Sequence, residues 1–307
     1  MFKQILFATT ASPSCDHAAR VAFDMAKRYG AGLSVFHVLG IPSRGFSQFV
    51  KDVRTGETVT LDDDYLAWVK EEMKNTYARQ LEIHTDCTLE ALPGVPHTEI
   101  LRAARKKDAD LIIMGSTTRE EDKGTYTYKS TTGSTLQAVT KSARCPVLMI
   151  GRPVASAWGG FSNIVFGTDF SKAADSAFLF ALKVAKKLEC TLHLFHAYDI
   201  SSIHSGKAMD QDDIEDNMMD AREKIRKEYI PKMEGFDDYE IEIWEGIPYV
   251  EIVKFARENY ADLIVMAHHT RKPDPEKEKI GSTVEQVVLR ATCPVASVNR
   301  PDKIKDM

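Results

Sequence analysis

The sequence predicts two doubly wound α/β domains joined in tandem. Three observations support this: the chain repeats itself once, each half alternates short apolar runs with amphipathic segments, and the 307 residues suffice for two domains. A domain of about 150 residues buries roughly two-thirds of its unfolded surface, so each half is large enough to fold. Strands that alternate with helical crossovers form a parallel sheet covered on both faces.

The repeat falls into three ordered blocks, and the offset between matching residues changes only where loops change length. The offset is 159 positions at the start of each half, 152 in the middle and 148 near the end. The order of the blocks indicates duplication of one domain. Matching residues are, in order, Phe7 and Phe166, Ala22 and Ala181, Gly94 and Gly246, Ala109 and Ala261, Gly133 and Gly281, and Cys145 and Cys293.

Short apolar runs in each half are typical of strands buried on both faces. In the first half they predict strands at 4–9, 33–39, 87–92, 110–114 and 147–150. In the second half they predict strands near 163–168, 191–197, 239–244, 262–266 and 294–298.

Helices are predicted between these strands. Apolar residues from Ala18 to Ala26 recur at helical spacing, with Ser14 or Asp16 as the cap and Gly30 as the stop. Further helices are expected from Asp63 to about Leu81, from near His97 and from Ser134 to Ala143. The segments 43–90 and 201–238 differ completely between the halves, and we expect them to cover the domain faces or form an assembly surface.

The domain boundaries follow from the repeat and from turn residues. Residues 1–152 form the first domain, 153–160 a linker containing Pro153 and Gly159-Gly160, 161–300 the second domain and 301–307 a tail.

Composition excludes several functional classes. The net charge is −5 and no basic stripe offsets it, which argues against a nucleic-acid partner. Five cysteines without a C-x-x-C pair indicate reduced thiols, with Cys145 and Cys293 as buried small side chains. The apolar runs are far shorter than the ~20 residues of a membrane helix, and no signal peptide is evident. We therefore expect a cytoplasmic protein that does not bind membranes.

The candidate site lies where the loops after the first and fourth strands meet, because doubly wound sheets bind ligands at the carboxyl ends of their strands. In the first half Gly115 ends a strand and Gly133-Ser134-Thr135 opens a helix. Glycine and a helix N-terminus suit a phosphate, although Ser and Thr are also ordinary helix caps. The glycines at 40–45 and 30–32 fit neither a P-loop nor a dinucleotide fingerprint.

Metal binding and catalysis find less support in the sequence. His268 and His269 are adjacent on one loop, with His193 and His196 elsewhere, and no cysteine cluster or H-x-x-x-H helix accompanies them. No Ser-His-Asp or Cys-His order recurs in both halves, and nothing marks a general base. We therefore expect no metal site and no enzyme.

Together these motifs resemble the universal stress protein family over nearly the whole chain. The resemblance implies flavodoxin-like domains with five-stranded parallel sheets, a role in stress response or signalling, and an adenine nucleotide (ATP, ADP or AMP) as ligand of one or both domains. Asp169 could bind Mg²⁺ together with such a nucleotide, and slow ATP hydrolysis there stays open. The matching motifs are Asp169-Phe170-Ser171, Phe36-His37 and Phe195-His196, the Gly-x-Pro turns, the two Ala-Asp-Leu-Ile strands and the two Cys-Pro-Val segments.

The resemblance also implies site residues, because ATP-binding members carry G-x2-G-x9-G-[ST] after strand four and Asp after strand one. In the first half Thr10 replaces the Asp and Thr118 the middle glycine; in the second, Ala267 and Thr270 replace two glycines. The second half keeps its carboxylate and is favoured. The implied residues are Thr10, Val38, Met114, Gly115, Thr118, Gly133, Ser134 and Thr135 in the first domain, and Asp169, Ala197, Met266, Ala267, Thr270, Gly281, Ser282 and Thr283 in the second.

Two other interpretations stay open. Degenerate glycines are also typical of a nucleotide-free scaffold that binds partners or another small ligand. ATP pyrophosphatases and electron-transfer flavoproteins share the layout, but the former need a Ser-Gly-Gly loop where this chain has 10–12 and 169–171. The family pairs domains through the last strand, so a tandem chain is expected to form an internal pseudo-dimer, with a further homodimer open.

Overall fold

A computed structural model describes residues 1–40, 49–51, 58–60, 62–84, 86–116, 133–153, 161–199, 210–268, 282–300 and 302–304. The chain divides into two compact units, Met1–Trp158 and Gly159–Asp306, here called domain 1 and domain 2. No helix in the described part of the chain combines the length and apolar character needed to cross a bilayer.

Domain 1 alternates strands and helices as the sequence predicts. Its strands are β1 (Gln4–Ala8), β2 (Gly32–Gly40), β3 (Phe49–Lys51), β4 (Thr58–Thr60), β5 (Cys87–Gly94), β6 (Leu111–Gly115) and β7 (Val147–Ile150). Its helices are α1 (Asp16–Tyr29), α2 (Asp63–Thr76), α3 (Ala78–Ile83), α4 (Pro96–Lys106) and α5 (Ser134–Ser142).

Domain 2 repeats the same alternation. Its strands are β8 (Asn163–Gly167), β9 (Thr191–Tyr198), β10 (Tyr239–Glu245), β11 (Leu263–Met266) and β12 (Val295–Ser297). Its helices are α6 (Lys172–Leu188), α7 (Gln211–Glu228), α8 (Pro248–Glu258) and α9 (Ser282–Arg290).

Each domain has a five-stranded parallel sheet, which confirms the predicted doubly wound fold. The strand order is β7-β6-β1-β2-β5 in domain 1 and β12-β11-β8-β9-β10 in domain 2. In flavodoxin itself the third strand lies between the first and fourth, whereas here it takes the edge beside the second. The order therefore reverses between the first and fourth strands of each domain, where a doubly wound sheet opens its ligand crevice.

The central strands are apolar throughout because both faces of the sheet are covered. Leu6 and Phe7 of β1, and Val165 and Phe166 of β8, are fully buried. Burial of such side chains stabilises a fold by about 1.5–3 kcal/mol each, so the centre of each sheet contributes strongly to the stability of its own domain.

The start of α1 differs from the prediction. The helix begins at Asp16, its N-cap is Cys15, and no side chain caps it, so the predicted caps Ser14 and Asp16 were wrong. A 3₁₀ turn over Pro13–Cys15 places the cap one residue beyond Ser14. Gly30 ends the helix with a φ of +59°, as predicted.

The single helix predicted from Asp63 to Leu81 is two helices. They join at Tyr77, whose φ of −107° and ψ of 17° break the helical path. The antiparallel hairpin of β3 and β4 was not predicted, because its strands have three residues each.

The long segments are more alike than their sequences indicate. α2 and α7 each begin at an aspartate N-cap, and each buries two apolar residues before a buried tyrosine. The pairs share the offset of 152: Val69 and Ala221, Met73 and Ile225, Tyr77 and Tyr229. The prediction that these segments differ completely was therefore wrong for α2 and α7.

Part of the predicted tail packs on domain 2. Ile304 is 1% exposed, and its carbonyl oxygen accepts a hydrogen bond of 2.5 Å from Lys183 of α6. The residue that corresponds to Lys183 in α1 is Asp24, so the contact has no direct counterpart on α1.

Candidate functional site

The loop after β8 in domain 2 carries an exposed carboxylate, that of Asp169. Its Oδ1 accepts a hydrogen bond of 2.9 Å from the backbone N–H of Ser171. The hydroxyl of Ser171 in turn accepts one from Ala174 and caps α6. Phe170, between them, has a φ of +59°, the left-handed region that non-glycine residues rarely adopt. The carboxylate is therefore held by a turn of defined geometry.

Thr168 stabilises that loop through three hydrogen-bonding contacts. Its hydroxyl lies 2.7 Å from the hydroxyl of Tyr229 and accepts a hydrogen bond of 3.0 Å from the N–H of Phe170. Its carbonyl oxygen accepts one of 2.8 Å from Nδ1 of His196 on β9. Buried polar groups are costly unless paired, so this network stabilises the turn that presents Asp169.

The ring of Phe170 forms part of an aromatic cluster. Its centroid lies 4.7 Å from that of His196 and 6.5 Å from that of Tyr229. The ammonium of Lys224 on α7 lies 4.3 Å above the same ring, a cation–π contact. The cation of Lys224 thus covers the ring of the residue that directly follows Asp169.

Burial lowers the pKa of His196 below its ordinary value of 6.5. The hydrogen bond to Thr168 and the charge of Asp169 oppose this shift, whereas Lys224 adds to it. The ring is therefore neutral at pH 7, and its Nδ1–H is the donor to Thr168. A neutral ring engaged in this way supports the loop.

The neighbouring strand ends bring the other predicted residues of domain 2 to this side of the sheet. Met266, the last residue of β11, pairs with Gly167 of β8. Ala197 lies one residue before the end of β9, and Ala267 follows Met266 directly. The N–H of His268 donates a hydrogen bond of 2.7 Å to Oδ1 of Asn299.

The start of α9 completes the predicted set only in part. Thr283 is the second residue of the helix and is partly exposed. Ser282 is the first residue of the helix, but its side chain lies outside the described part of the structure. Thr270 and Gly281 lie outside the described residues.

The loop after β1 in domain 1 has the same framework with different outer residues. Thr9 repeats Thr168: its hydroxyl lies 2.6 Å from that of Tyr77, and its carbonyl accepts a hydrogen bond of 2.8 Å from Nδ1 of His37. The N–H of Ala11, at a φ of +53°, donates to the hydroxyl of Thr9. The position of Asp169 is taken by Thr10.

Thr10 bonds within its own loop. Its hydroxyl lies 2.7 Å from that of Ser12 and 3.3 Å from the thiol of Cys15. Ser12 is in turn 2.8 Å from the hydroxyl of Ser14. These polar groups satisfy one another, and the loop presents no charged group of its own.

The fourth strand of domain 1 approaches this loop closely. A Cβ on Gly115 would lie 3.4 Å from the carbonyl oxygen of Ser14 and 3.6 Å from Sγ of Cys15. Val38 and Met114 are buried near their strand ends. The side chain of Ser116 is buried, and its hydroxyl has no hydrogen-bond partner among the described residues.

The helix α5 has no side-chain cap among the described residues. Its N-cap is Gly133. Ser134 is exposed and Thr135 partly exposed. Thr118 lies outside the described residues.

Sequence reasoning missed three residues that shape the two loops, namely Tyr77, Tyr229 and Lys224. The two tyrosines share the offset of 152 that relates Gly94 to Gly246, so the repeat contained a signal for them. The residue of domain 1 that corresponds to Lys224 is Glu72, and nothing in the sequence placed Lys224 near the loop.

In the described part of the chain, no three His, Cys, Asp or Glu side chains cluster to form a set of metal ligands. His193 lies near the amino end of β9, and His196 supports Thr168. His269 lies outside the described residues.

Comparison with known proteins agrees with the duplication. The universal stress protein family matches residues 1–151 and again 160–299. Two universal stress proteins of Methanocaldococcus jannaschii are 30% and 31% identical to this chain over 159 and 158 residues. These alignments cover 50% and 46% of this chain, and 84% and 96% of the relatives.

A solved structure matches both domains together. The crystal structure of a universal stress protein from Archaeoglobus fulgidus aligns with a TM-score of 0.66 at 20% identity. The alignment covers 97% of this chain and 98% of that one, so that chain also contains two copies of the fold.

Proposed function

Because the chain belongs to the universal stress protein family, we propose that it binds an adenine nucleotide at the crevice of domain 2 and signals its presence to a partner. The proposal specifies one site, formed by the loop after β8, the ends of β9 and β11 and the start of α9. Mg²⁺ would accompany a nucleotide that carries two or three phosphates.

The observation that carries the proposal is the carboxylate of Asp169. It is exposed at the point where the strand order of domain 2 reverses, and one of its oxygens is fixed by the N–H of Ser171. No described residue hydrogen-bonds the other oxygen, which can then accept a hydrogen bond from a ribose hydroxyl or coordinate Mg²⁺. A fixed, solvated carboxylate at this position suits either contact with a nucleotide.

Within the described residues of this loop, no side chain is positioned as a general base, which favours binding over catalysis. His196 belongs to the hydrogen-bond network of the loop, and its Nδ1–H donates to the carbonyl oxygen of Thr168. Phe170 covers the ring. A general base must reach the proton that it abstracts, and this ring is committed to the loop.

Domain 1 supports a different role. Thr10, Ser12, Ser14 and Cys15 bond to one another, so a nucleotide would have to break this network before the loop could bind it. We therefore propose that domain 1 serves as an interaction domain and that the chain binds one nucleotide.

Isothermal titration calorimetry with ATP, ADP and AMP in the presence of Mg²⁺ tests the proposal. We expect a stoichiometry of one per chain for wild-type protein, and at least about tenfold weaker binding for Asp169→Asn, the loss of one charge-assisted contact. The matched control in domain 1 is Thr10→Val, which we expect to bind as wild type does. No heat with any nucleotide, or equal loss in both variants, would refute the assignment to domain 2.

A further inference from the structure

An exposed pair of aromatic side chains lies on helix α2 of domain 1. The rings of Tyr65 and Trp68 stack, with centroids 5.7 Å apart and an angle of 26° between their planes. Trp68 is 47% exposed, although tryptophan is a side chain that folded proteins bury to a large extent. Another side of α2 packs on the domain through Val69 and Met73, which are buried. The ring of Trp68 therefore faces solvent and is not part of the core.

Carboxylates surround this pair on the same face of the helix. Residues three and four positions apart along a helix are neighbours on its surface. Asp64 lies four positions before Trp68, and Glu71 and Glu72 follow it by three and four. Asp64 and Glu71 are exposed. Glu71 also pairs with Lys74 across 3.0 Å, but both side chains are solvated, and ion pairs of this kind contribute little.

These residues form what we call the acidic aromatic face of α2, which consists of Asp64, Tyr65, Trp68, Glu71 and Glu72. Domain 2 keeps its two exposed carboxylates and lacks its rings. At the offset of 152, Asp216 and Glu223 of α7 stand at the positions of these carboxylates. Asn217 and Asp220 stand at the positions of the two rings. An acidic helix surface is therefore common to both domains, and the aromatic pair distinguishes domain 1.

An aromatic ring beside carboxylates suits a cation. The face of a tryptophan ring attracts a lysine ammonium or an arginine guanidinium within about 6 Å of its centroid. Domain 2 makes such contacts internally, with Lys254 5.0 Å from the centroid of Trp244 and Arg290 5.1 Å from that of Tyr249. Among the described residues, no lysine or arginine lies over the ring of Trp68. This ring can therefore take a cation from another molecule.

The charge of the face decides which class of molecule fits it. Phosphates of nucleic acids and anionic lipid head groups would meet like charges there. A second copy of this chain, with a net charge of −5, would set the same carboxylates against one another. A basic protein segment has the complementary charge, and its lysine and arginine side chains have long apolar stems that can cover a ring. A basic segment of a protein is thus the occupant that charge and shape favour.

We propose that the acidic aromatic face binds a basic segment of a partner protein, with an arginine or lysine side chain over the ring of Trp68. Arginine fits best, because its planar guanidinium can stack on a ring and donate hydrogen bonds to a carboxylate at the same time. The inference rests on the proposed role of domain 1 as an interaction domain and specifies the chemistry of its partner. It requires no nucleotide in domain 2.

Fluorescence anisotropy with a fluorescein-labelled peptide of six arginines tests the inference on the full chain, at low ionic strength and without nucleotide. We expect wild-type protein to bind the peptide and Trp68→Ala to bind it at least about threefold more weakly, because the contact with the ring is lost. Trp68→Tyr keeps an aromatic ring and should restore most of the binding. A peptide of six glutamates should not bind.

A matched pair of double variants tests the carboxylates. Asp64→Asn with Glu71→Gln removes two charges from the acidic aromatic face, and Asp216→Asn with Glu223→Gln removes the corresponding two from α7. Both variants change the net charge equally. We expect at least about threefold weaker binding in the first and unchanged binding in the second. The substituted side chains are exposed, so we expect the fold to persist, which far-UV circular dichroism checks.

Three results of the peptide titration would overturn the proposal: no binding to wild-type protein, undiminished binding to Trp68→Ala, or equal loss in the two double variants. Sedimentation velocity and flotation with phosphatidylserine vesicles test the other occupants. A wild-type dimer that Trp68→Ala dissociates would assign the face to a second copy, and vesicle binding lost in that variant would assign it to a membrane. Calorimetry with nucleotides is a separate measurement, so failure of the site in domain 2 would be distinguished from failure of this face.

Discussion

The two domains hold the loop after their first strand in the same way and present different residues from it. In domain 1 Thr9 joins Tyr77 and His37, and in domain 2 Thr168 joins Tyr229 and His196. The loops diverge at the next residue. The framework that fixes the turn is the same in both domains, whereas the residue at the proposed ligand-binding position differs.

The difference extends to the helix above each loop. Lys224 on α7 lies over the ring of Phe170, whereas the corresponding residues of domain 1 are Glu72 and Ala11. Domain 2 therefore combines a carboxylate, a cation and an aromatic ring at its crevice, while domain 1 offers hydroxyls bonded to one another. The fold is duplicated, while the residues presented by the two loops are not.

The largest asymmetry in stability should come from the C-terminal segment. Ile304→Ala leaves a cavity under a residue that is 1% exposed, and we expect the free energy of unfolding of domain 2 to fall by about 3 kcal/mol. Urea unfolding followed by the fluorescence of Trp244 measures this free energy. The background variant Trp68→Phe with Trp158→Phe leaves Trp244 as the only tryptophan of the chain. The control is Ile83→Ala, at a position 65% exposed, which should change little. Equal effects of the two variants would show that the segment does not stabilise domain 2.

The shared framework should respond symmetrically. Tyr77→Phe and Tyr229→Phe each remove one buried hydrogen bond to a threonine and keep the ring, so we expect each to lower the free energy of unfolding by about 1 kcal/mol. Tyr260→Phe, at a position 83% exposed, is the control. A cost found in only one domain would break the equivalence of the two frameworks.

The smallest effect should appear at His196. Phe170→Ala uncovers the ring, and because burial lowers the pKa of His196, we expect that pKa to move up toward 6.5. NMR titration of the histidine rings measures the change. Phe170→Leu keeps an apolar cover and should leave the pKa of His196 nearer its wild-type value. A downward shift in Phe170→Ala would contradict burial as the cause.

Most of the fold was predictable because it depends on short-range pattern. Strands such as β7 and β12 fall within a residue or two of their predicted bounds, since apolar runs between turn residues define them. The turn at Gly30 was also predictable, because a left-handed helix end favours glycine.

The remainder depended on tertiary contacts. The predicted long helix breaks at Tyr77, whose ring packs against Phe7 and whose hydroxyl is hydrogen-bonded to Thr9. No local sequence pattern indicates these two contacts. Val69 and Met73 match Ala221 and Ile225 in position but not in identity, so sequence comparison hid the equivalence. Lys224 reaches Phe170 from a distant part of the chain, and only the fold brings them together.

The bond between threonine and tyrosine has a consequence for how the chain folds. It joins residues 68 positions apart in domain 1 and 61 apart in domain 2, so the loop after the first strand is completed only after much of each domain has been assembled. Contacts of such separation slow folding, and tandem copies are prone to misassembly when their long-range partners are interchangeable. The two tyrosines differ in part of their aromatic neighbours. Tyr229 packs against Phe178 and Phe170, and Tyr77 packs against Phe23. We therefore expect these differing neighbours to favour pairing of each threonine with the tyrosine of its own domain.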